Sequence, residues 1–126
     1  MLIATAAAVR AEPQIMLPKH RLEARELGII VNDADPLSRK IGAYYQQRRG
    51  IPEANVVRVR FEPQRRQLPP AEFAAIKREV DAAMPAHVQA YVLTWAMPWR
   101  VGCMSITSAF AFGFDEAWCS SRRCAA

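Results

Sequence analysis

The spacing of apolar and polar positions changes along the chain, and each change indicates a new element. Leu27–Asn32 is a short apolar run rich in β-branched residues, typical of a buried strand. Asp35 is a suitable N-cap and Pro36 suits the first helical position. Apolar residues then recur at helical spacing, at Leu37, Ile41, Tyr44 and Tyr45. Gly50 suits a left-handed C-cap, so the pattern predicts a strand followed by a helix ending there.

Two more strand patterns follow, separated by one helix pattern. Asn55–Phe61 alternates, with Arg58 and Arg60 on one face, which favours a position near an edge of the sheet. After a loop rich in proline and arginine (62–70), an amphipathic helix is indicated by Phe73, Ile76, Val80 and Met84. Val88–Thr94 is apolar on both faces, which favours a central strand.

The order strand–helix–strand–helix–strand predicts two successive right-handed parallel crossovers. We therefore expect an α/β fold, a three-layer sandwich with a small parallel sheet. After Trp95 the chain offers no convincing further strand and helix, and so small a parallel sheet would leave its edges open. The pattern thus predicts an α/β domain over residues 27–126 that is truncated at its C-terminus.

Composition narrows the function classes. A content of 52% hydrophobic and 9% aromatic residues excludes a disordered chain, and no apolar run approaches the roughly 18 residues of a membrane span. The net charge of +5 comes mostly from arginine, which attracts phosphates and acidic surfaces. The aromatic residues do not alternate with these arginines as a stacking platform would require, so we expect no specific nucleic-acid binding.

The N-terminus and the cysteines bear on the cellular compartment. Met1–Ala11 is apolar and small, and Val9–Ala11 approximates a signal-peptidase site, although a basic n-region is missing. We interpret residues 1–26 as a remnant signal peptide and linker and expect an exported or periplasmic protein; a cytoplasmic helical tail is the alternative. The three cysteines allow one disulfide and one free thiol, and a local Cys119–Cys124 bridge is sterically feasible.

Ligands of parallel α/β sheets bind beyond the carboxyl ends of the strands. The loops that follow the first and third predicted strands supply the candidate ligand-binding residues Asn32, Asp33, Asp35, Ser38, Thr94, Arg100, Cys103 and Ser105. The two carboxylates suit Mg²⁺, but an Asx turn and a helix cap explain them better, and we predict neither a metal nor a cofactor. Arg100 could hold a carboxylate or phosphate, although such an arginine more often fixes a loop.

Catalytic groups are harder to assign. Cys103 as a nucleophile would need a histidine base, but His87 precedes the third strand at the opposite end of the sheet, and His20 lies in the linker. We therefore assign no catalytic residue. Phe110–Phe114 would place three phenylalanines on one face if extended, and this segment or an open sheet edge could support a homodimer.

Residues 28–61 and 91–119 resemble a family of uncharacterised, exported bacterial proteins. The resemblance rests on Gly28–Asn32, Asp35–Ser38, Arg48–Pro52, Leu93–Val101, Cys103–Thr107 and Phe112–Asp115. It implies export, an α/β domain and a chain longer than this one, but no activity.

A weaker, fold-level similarity links the chain to caspase- and gingipain-like cysteine peptidases, whose strand order begins in the same way. Where those enzymes have His-Gly after the corresponding strand, this chain has Trp95–Pro98, which argues against their mechanism. We expect a binding or structural module that binds an unknown ligand or protein partner, without autonomous catalysis. The alternative is the N-terminal part of a hydrolase-like enzyme whose remaining catalytic residues lie outside this chain.

Overall fold

The structure is a computed structural model that describes residues 21–119. Its strands are β1 (Leu27–Asn32), β2 (Val56–Val59), β3 (Gln67–Leu68), β4 (Ala90–Leu93), β5 (Arg100–Val101) and β6 (Met104–Ser105). Its α-helices are α1 (Pro36–Arg49), α2 (Pro70–Ala83) and α3 (Ile106–Phe112). The main sheet is parallel with the order β2-β1-β4, so the predicted α/β fold with a small parallel sheet is confirmed.

Three layers form because the two faces of β1 pack against different helices. Ile30 lies on the α2 face, in a core that includes Val57, Phe73 and Val80. Ile29 and Val31 point the opposite way, into a smaller cluster with Ile51. Burying each such side chain stabilises the fold by about 1.5–3 kcal/mol. The alternation of one apolar strand thus organises both layers of helix.

Helix α1 begins and ends as predicted, but most of its apolar residues are not the ones it buries. Asp35 Oδ1 accepts a hydrogen bond from the Leu37 N–H at 2.9 Å, and Gly50 has φ +63° at the C-cap. The buried residues of α1 are Ser38 and Gly42, whereas Leu37, Ile41 and Tyr44, which recur at helical spacing, are exposed. A Cβ atom at Gly42 would lie 2.7 Å from Val31 Cγ2, so only small residues fit where this helix meets the sheet.

The prediction that Val88–Thr94 forms the central strand is wrong. The centre is β1, whose residues 28–32 are all buried, while every residue of β4 is only half-buried. The register pairs Ile29 with Val56 on one side and with Val92 on the other. The crossover through α2 carries the chain past β1 to the opposite edge, so β4 is apolar without being enclosed.

The chain after Trp95 contains elements that the sequence pattern did not predict. Strand β5 pairs in parallel with β3, which lies in the predicted loop 62–70, and antiparallel with β6. Gly102, with φ +53°, forms the turn between β5 and β6. Each of these strands has two residues, which is too short for an apolar alternation to be recognisable.

The segment with three phenylalanines is partly helical rather than extended. Ser105 caps α3 by accepting a hydrogen bond from the Ser108 N–H at 3.1 Å. Helical geometry separates Phe110 from Phe112: Phe110 packs edge-on against Phe73 with 5.1 Å between ring centroids, and Phe112 is 83% exposed. The common face of phenylalanines that an extended segment would have is therefore not formed. Within residues 21–119, no helix combines the length and apolar character that crossing a bilayer requires.

Candidate functional site at the β4 edge

Three of the sequence-predicted site residues meet at the carboxyl end of β1. The Asn32 backbone N–H donates to Ser38 Oγ at 2.9 Å, and Ser38 Oγ lies 2.7 Å from Thr94 Oγ1. The Thr94 hydroxyl donates to the Ile30 carbonyl at 3.1 Å, which makes Ser38 the donor to Thr94. This chain of hydrogen bonds connects β1, α1 and the end of β4.

The Asn32 side chain joins β1 to the chain beyond β2. Its Nδ2 donates to the Phe61 carbonyl at 3.0 Å, and its Oδ1 accepts from the Phe61 and Ala34 N–H groups at 3.2 and 3.1 Å. Asn32, Ser38 and Thr94 are at most 1% exposed. Their polar groups bind one another and nearby backbone, so they hold the carboxyl end of the sheet together.

The two aspartates also have partners within the fold. Asp33 Oδ1 accepts a hydrogen bond from Arg58 at 3.1 Å, and Asp35 caps α1. Among residues 21–119, no group of three or more His, Cys, Asp or Glu side chains is arranged to hold a metal ion.

Arg100, Cys103 and Ser105 belong to a separate unit, the β5–β6 hairpin. Arg100 is exposed and pairs with Ser105 across the hairpin. Cys103 forms a disulfide with Cys119, with 5.4 Å between their Cα atoms. Cys119 therefore pairs with Cys103 rather than with Cys124, which lies outside the described residues. In this state Cys103 carries no thiolate and cannot act as a nucleophile.

Among residues 21–119, no strand pairs with β4 on the side away from β1. Residues of a parallel strand bond alternately to the left and to the right. The Thr94 N–H donates to the Ile30 carbonyl at 3.3 Å, so Ala90 and Val92, which have the same parity, also bond towards β1. Tyr91 and Leu93 therefore present their N–H and C=O groups to the open side.

A groove of about 440 Å³ lies beside this open backbone. Its walls include Tyr91 and Leu93 of β4, Lys77 of α2, and Phe110 and Ala111 of α3. Lys77 Nζ forms an ion pair with both carboxylate oxygens of Asp81, at 2.6 and 2.7 Å. The surface beside the strand is therefore mostly apolar, with Gln89 and Thr107 as its uncharged polar residues, and the charge of Lys77 is balanced by Asp81.

Comparison of the chain with protein-family models, with curated proteins and with solved structures finds no match. The candidate site therefore rests on the geometry alone. Sequence analysis did not identify Tyr91 or Leu93 as site residues, and it named Phe110 only as part of a possible dimer contact. The available signal was the absence of charge from Val88–Thr94, which was interpreted as enclosure on both sides.

Proposed function

We propose that this chain is an exported binding module that takes up an extended polypeptide strand along the open edge of β4. One observation carries the proposal: the outward backbone groups of Tyr91 and Leu93 lie directly beside an apolar groove. Backbone N–H and C=O groups that lack partners at a sheet edge are a template for pairing with another strand.

Strand addition gives such a surface both affinity and selectivity. Hydrogen bonds to Tyr91 and Leu93 would hold any extended backbone, whatever its sequence. Alternate side chains of the bound strand would enter the groove against Phe110, so apolar and β-branched residues are favoured there and charged residues are disfavoured. The partner we propose is therefore an uncharged, β-branched strand, and a second copy of the chain is one source of it.

The disulfide supports the export part of the proposal. Disulfides persist in secreted and periplasmic proteins and are rare in the reducing cytosol. The Cys103–Cys119 bridge fastens the 3₁₀ turn Glu116–Cys119, which has no buried residue, to the β5–β6 hairpin. A protein that contains this disulfide suits an oxidising compartment.

The test uses a peptide with the β1 sequence Leu27–Asn32, flanked by lysines for solubility, because this strand pairs with β4 in the native sheet. We expect binding with a Kd below about 1 mM, seen as amide chemical-shift changes at Tyr91 and Leu93 in ¹⁵N spectra of the full chain. The same peptide with proline in place of Ile29 is the matched control, because it lacks a donor for the ladder.

Two variants of the protein test whether the peptide binds at the open backbone of β4. Tyr91→Pro removes the outward N–H, whereas Tyr91→Ala removes the side chain and keeps that donor. The proposal expects the proline variant to lose the peptide and the alanine variant to retain part of the affinity. If the unmodified chain shows no shift at about 1 mM peptide, or if the shifts lie away from β4, the proposal is wrong.

A further inference from the structure

We infer that the exposed side of α1 docks on a membrane surface that carries anionic phospholipid headgroups. This side of the helix, which we call the α1 face, consists of Leu37, Lys40, Ile41, Tyr44 and Arg48. The inference goes beyond the proposed function, because it uses none of the groups that would bind a strand at the β4 edge.

Three members of the α1 face are apolar or aromatic side chains that the fold leaves uncovered. Leu37 is 57% exposed, Ile41 39% and Tyr44 63%. At about 3.6 residues per turn, these positions and Arg48 follow one another along one side of the helix over about 16 Å. An exposed apolar row of this kind is typical of an interaction site.

The charges of α1 are all of one sign. The helix contains four exposed cationic residues, Arg39, Lys40, Arg48 and Arg49, and no aspartate or glutamate. Helix α2 has the same length but carries two cationic and three acidic residues. The contrast shows that α1 supplies a charge of +4 to a chain whose net charge is +5. An anionic surface is the partner that complements it.

The acidic residues at the two ends of α1 are already engaged in the fold. Asp35 Oδ1 accepts a hydrogen bond from the Leu37 backbone N–H at 2.9 Å, as the N-cap. Glu53 accepts one from the side-chain amide of Gln46, which lies about 120–180° around the helix from the α1 face. The α1 face therefore keeps its positive charge.

The packing of α1 turns this face away from the sheet. The helix meets the sheet through its buried residues Ser38 and Gly42. At about 3.6 residues per turn, the α1 face is centred about 120° around the helix from these two residues. The groove beside β4 is lined by residues of α2 and α3, on the other side of the sheet. A chain docked through α1 would thus leave that groove open.

A lipid surface accounts for both properties of the α1 face. Lys40 and Arg48 would interact with headgroup phosphates, while Leu37 and Ile41 enter the boundary between headgroups and acyl chains. A tyrosine such as Tyr44, with an apolar ring and a polar hydroxyl, suits the same depth. A nucleic-acid backbone would neutralise the cations but leave the apolar row in water, so it fits less well.

The experiment measures co-sedimentation of the full chain with vesicles at about 50 mM salt. With vesicles of phosphatidylcholine containing about 30% phosphatidylglycerol, we expect half of the chain to be bound at about 1 mM accessible lipid or less. Vesicles of phosphatidylcholine alone should bind at least about tenfold more weakly. Raising the salt to about 0.5 M should weaken binding to the anionic vesicles, because it screens the charges.

One pair of variants tests the charge of the α1 face. Lys40→Glu replaces an attracted charge by a repelled one, and each is worth about fivefold near an anionic surface, so the partition coefficient should fall at least about tenfold. Arg78→Glu makes the same change at an exposed position of α2 and is the matched control. It should leave the partition coefficient within about twofold, because the solution screens charges that lie away from the bilayer.

A second pair of variants tests the apolar row without changing the charge. Leu37→Gln should lower the partition coefficient about three- to tenfold, because a leucine that enters the bilayer is lost. Glutamine and leucine have similar helix propensities, so α1 should stay folded. Leu22→Gln is the matched control, since Leu22 is 50% exposed and lies outside α1, and it should leave the binding unchanged.

Each outcome decides the inference. Weaker binding in both Lys40→Glu and Leu37→Gln, with both controls unchanged, supports it. A chain that does not bind anionic vesicles overturns it, and so does binding that neither substitution weakens, because another part of the chain is then responsible. Binding that Leu37→Gln leaves unchanged, and that a DNA duplex matches, identifies a general polyanion surface and overturns lipid as the partner. The peptide test at the β4 edge is independent of all these results.

Discussion

The two edges of the main sheet are built differently. At β2, Arg58 and Arg60 are exposed, and Arg58 forms an ion pair with Asp33. At β4, the residues Ala90–Leu93 carry no charge, and the groove beside them on the α2 face is mostly apolar. Charged side chains on an edge strand are a common protection against unwanted pairing. One edge is thus protected, and the other has the features of a pairing surface.

The two edges also differ in the hydrogen bonds that hold the carboxyl end of each edge strand to the rest of the fold. The Asn32 side chain completes the hydrogen bonding of Phe61 beyond β2, as a further strand residue would. At the β4 edge the link is a pair of hydroxyls, Ser38 and Thr94, under α1. At the β2 edge the Asn32 side chain thus bonds to backbone groups that have no other partner among the described residues, whereas at the β4 edge the two hydroxyls supplement a backbone hydrogen bond from the Thr94 N–H to the Ile30 carbonyl.

The largest expected effect on stability comes from removing these hydrogen bonds. Asn32→Leu leaves the buried N–H and C=O of Phe61 without partners, so it should lower the free energy of unfolding by about 3 kcal/mol. Thr94→Val should cost only about 1 kcal/mol, because the Thr94 backbone N–H still donates to the Ile30 carbonyl. Urea unfolding followed by tryptophan fluorescence measures both. Equal costs would show that the two edges are fastened alike.

The next prediction tests why Leu37, Ile41 and Tyr44 of α1 do not pack against the sheet. Gly42→Ala places a Cβ atom only 2.7 Å from Val31 Cγ2, and should destabilise the fold by about 1–3 kcal/mol. Ala43→Gly, on the exposed side of the same helix, controls for helix propensity and should cost about 1 kcal/mol. If Gly42→Ala does not change stability, the close approach of Gly42 to Val31 does not explain why Leu37, Ile41 and Tyr44 are exposed.

The parts of the fold that could be predicted from sequence are those set by neighbouring residues, and the parts that could not depend on residues distant in sequence. The limits of β1 and α1 follow from local chemistry, in the apolar run before Asn32, the Asp35 cap and Gly50. The position of β4 at an edge depends on where a crossover leads, which no local pattern records. The apolar spacing of α1 was correctly recognised as helical, but the close contact of Gly42 with Val31 determines which side is buried.

The candidate site was less predictable than the fold for the same reason. Sequence analysis selected Asn32, Ser38 and Thr94 because they lie at or just after the carboxyl ends of strands, and the structure does bring them together. It could not show that they bind one another. The groove beside β4 is formed by residues from α2, β4 and α3, and the last of these elements had no recognisable pattern.

A third prediction removes the protection of β2. Arg58→Val with Arg60→Val should make that edge resemble β4, so the chain should associate more strongly than the unmodified chain or lose at least about tenfold in solubility. Stability should change by less than about 1 kcal/mol, because the ion pair to Asp33 is partly exposed. Light scattering against concentration measures the association. Unchanged behaviour would show that these arginines do not protect the edge.

The smallest effect concerns the charge in the groove. Lys77→Leu removes the ion pair with Asp81, which is 48% exposed, so stability should change by less than about 0.5 kcal/mol. The lysine stem already covers apolar surface, and leucine covers it without a charge to desolvate, so the β1 peptide should bind up to about threefold more tightly. Arg78→Leu removes a charge from the adjacent, exposed position of α2 and should leave peptide binding unchanged. Equal tightening in both variants would mean that net charge, rather than the groove, controls binding at the β4 edge.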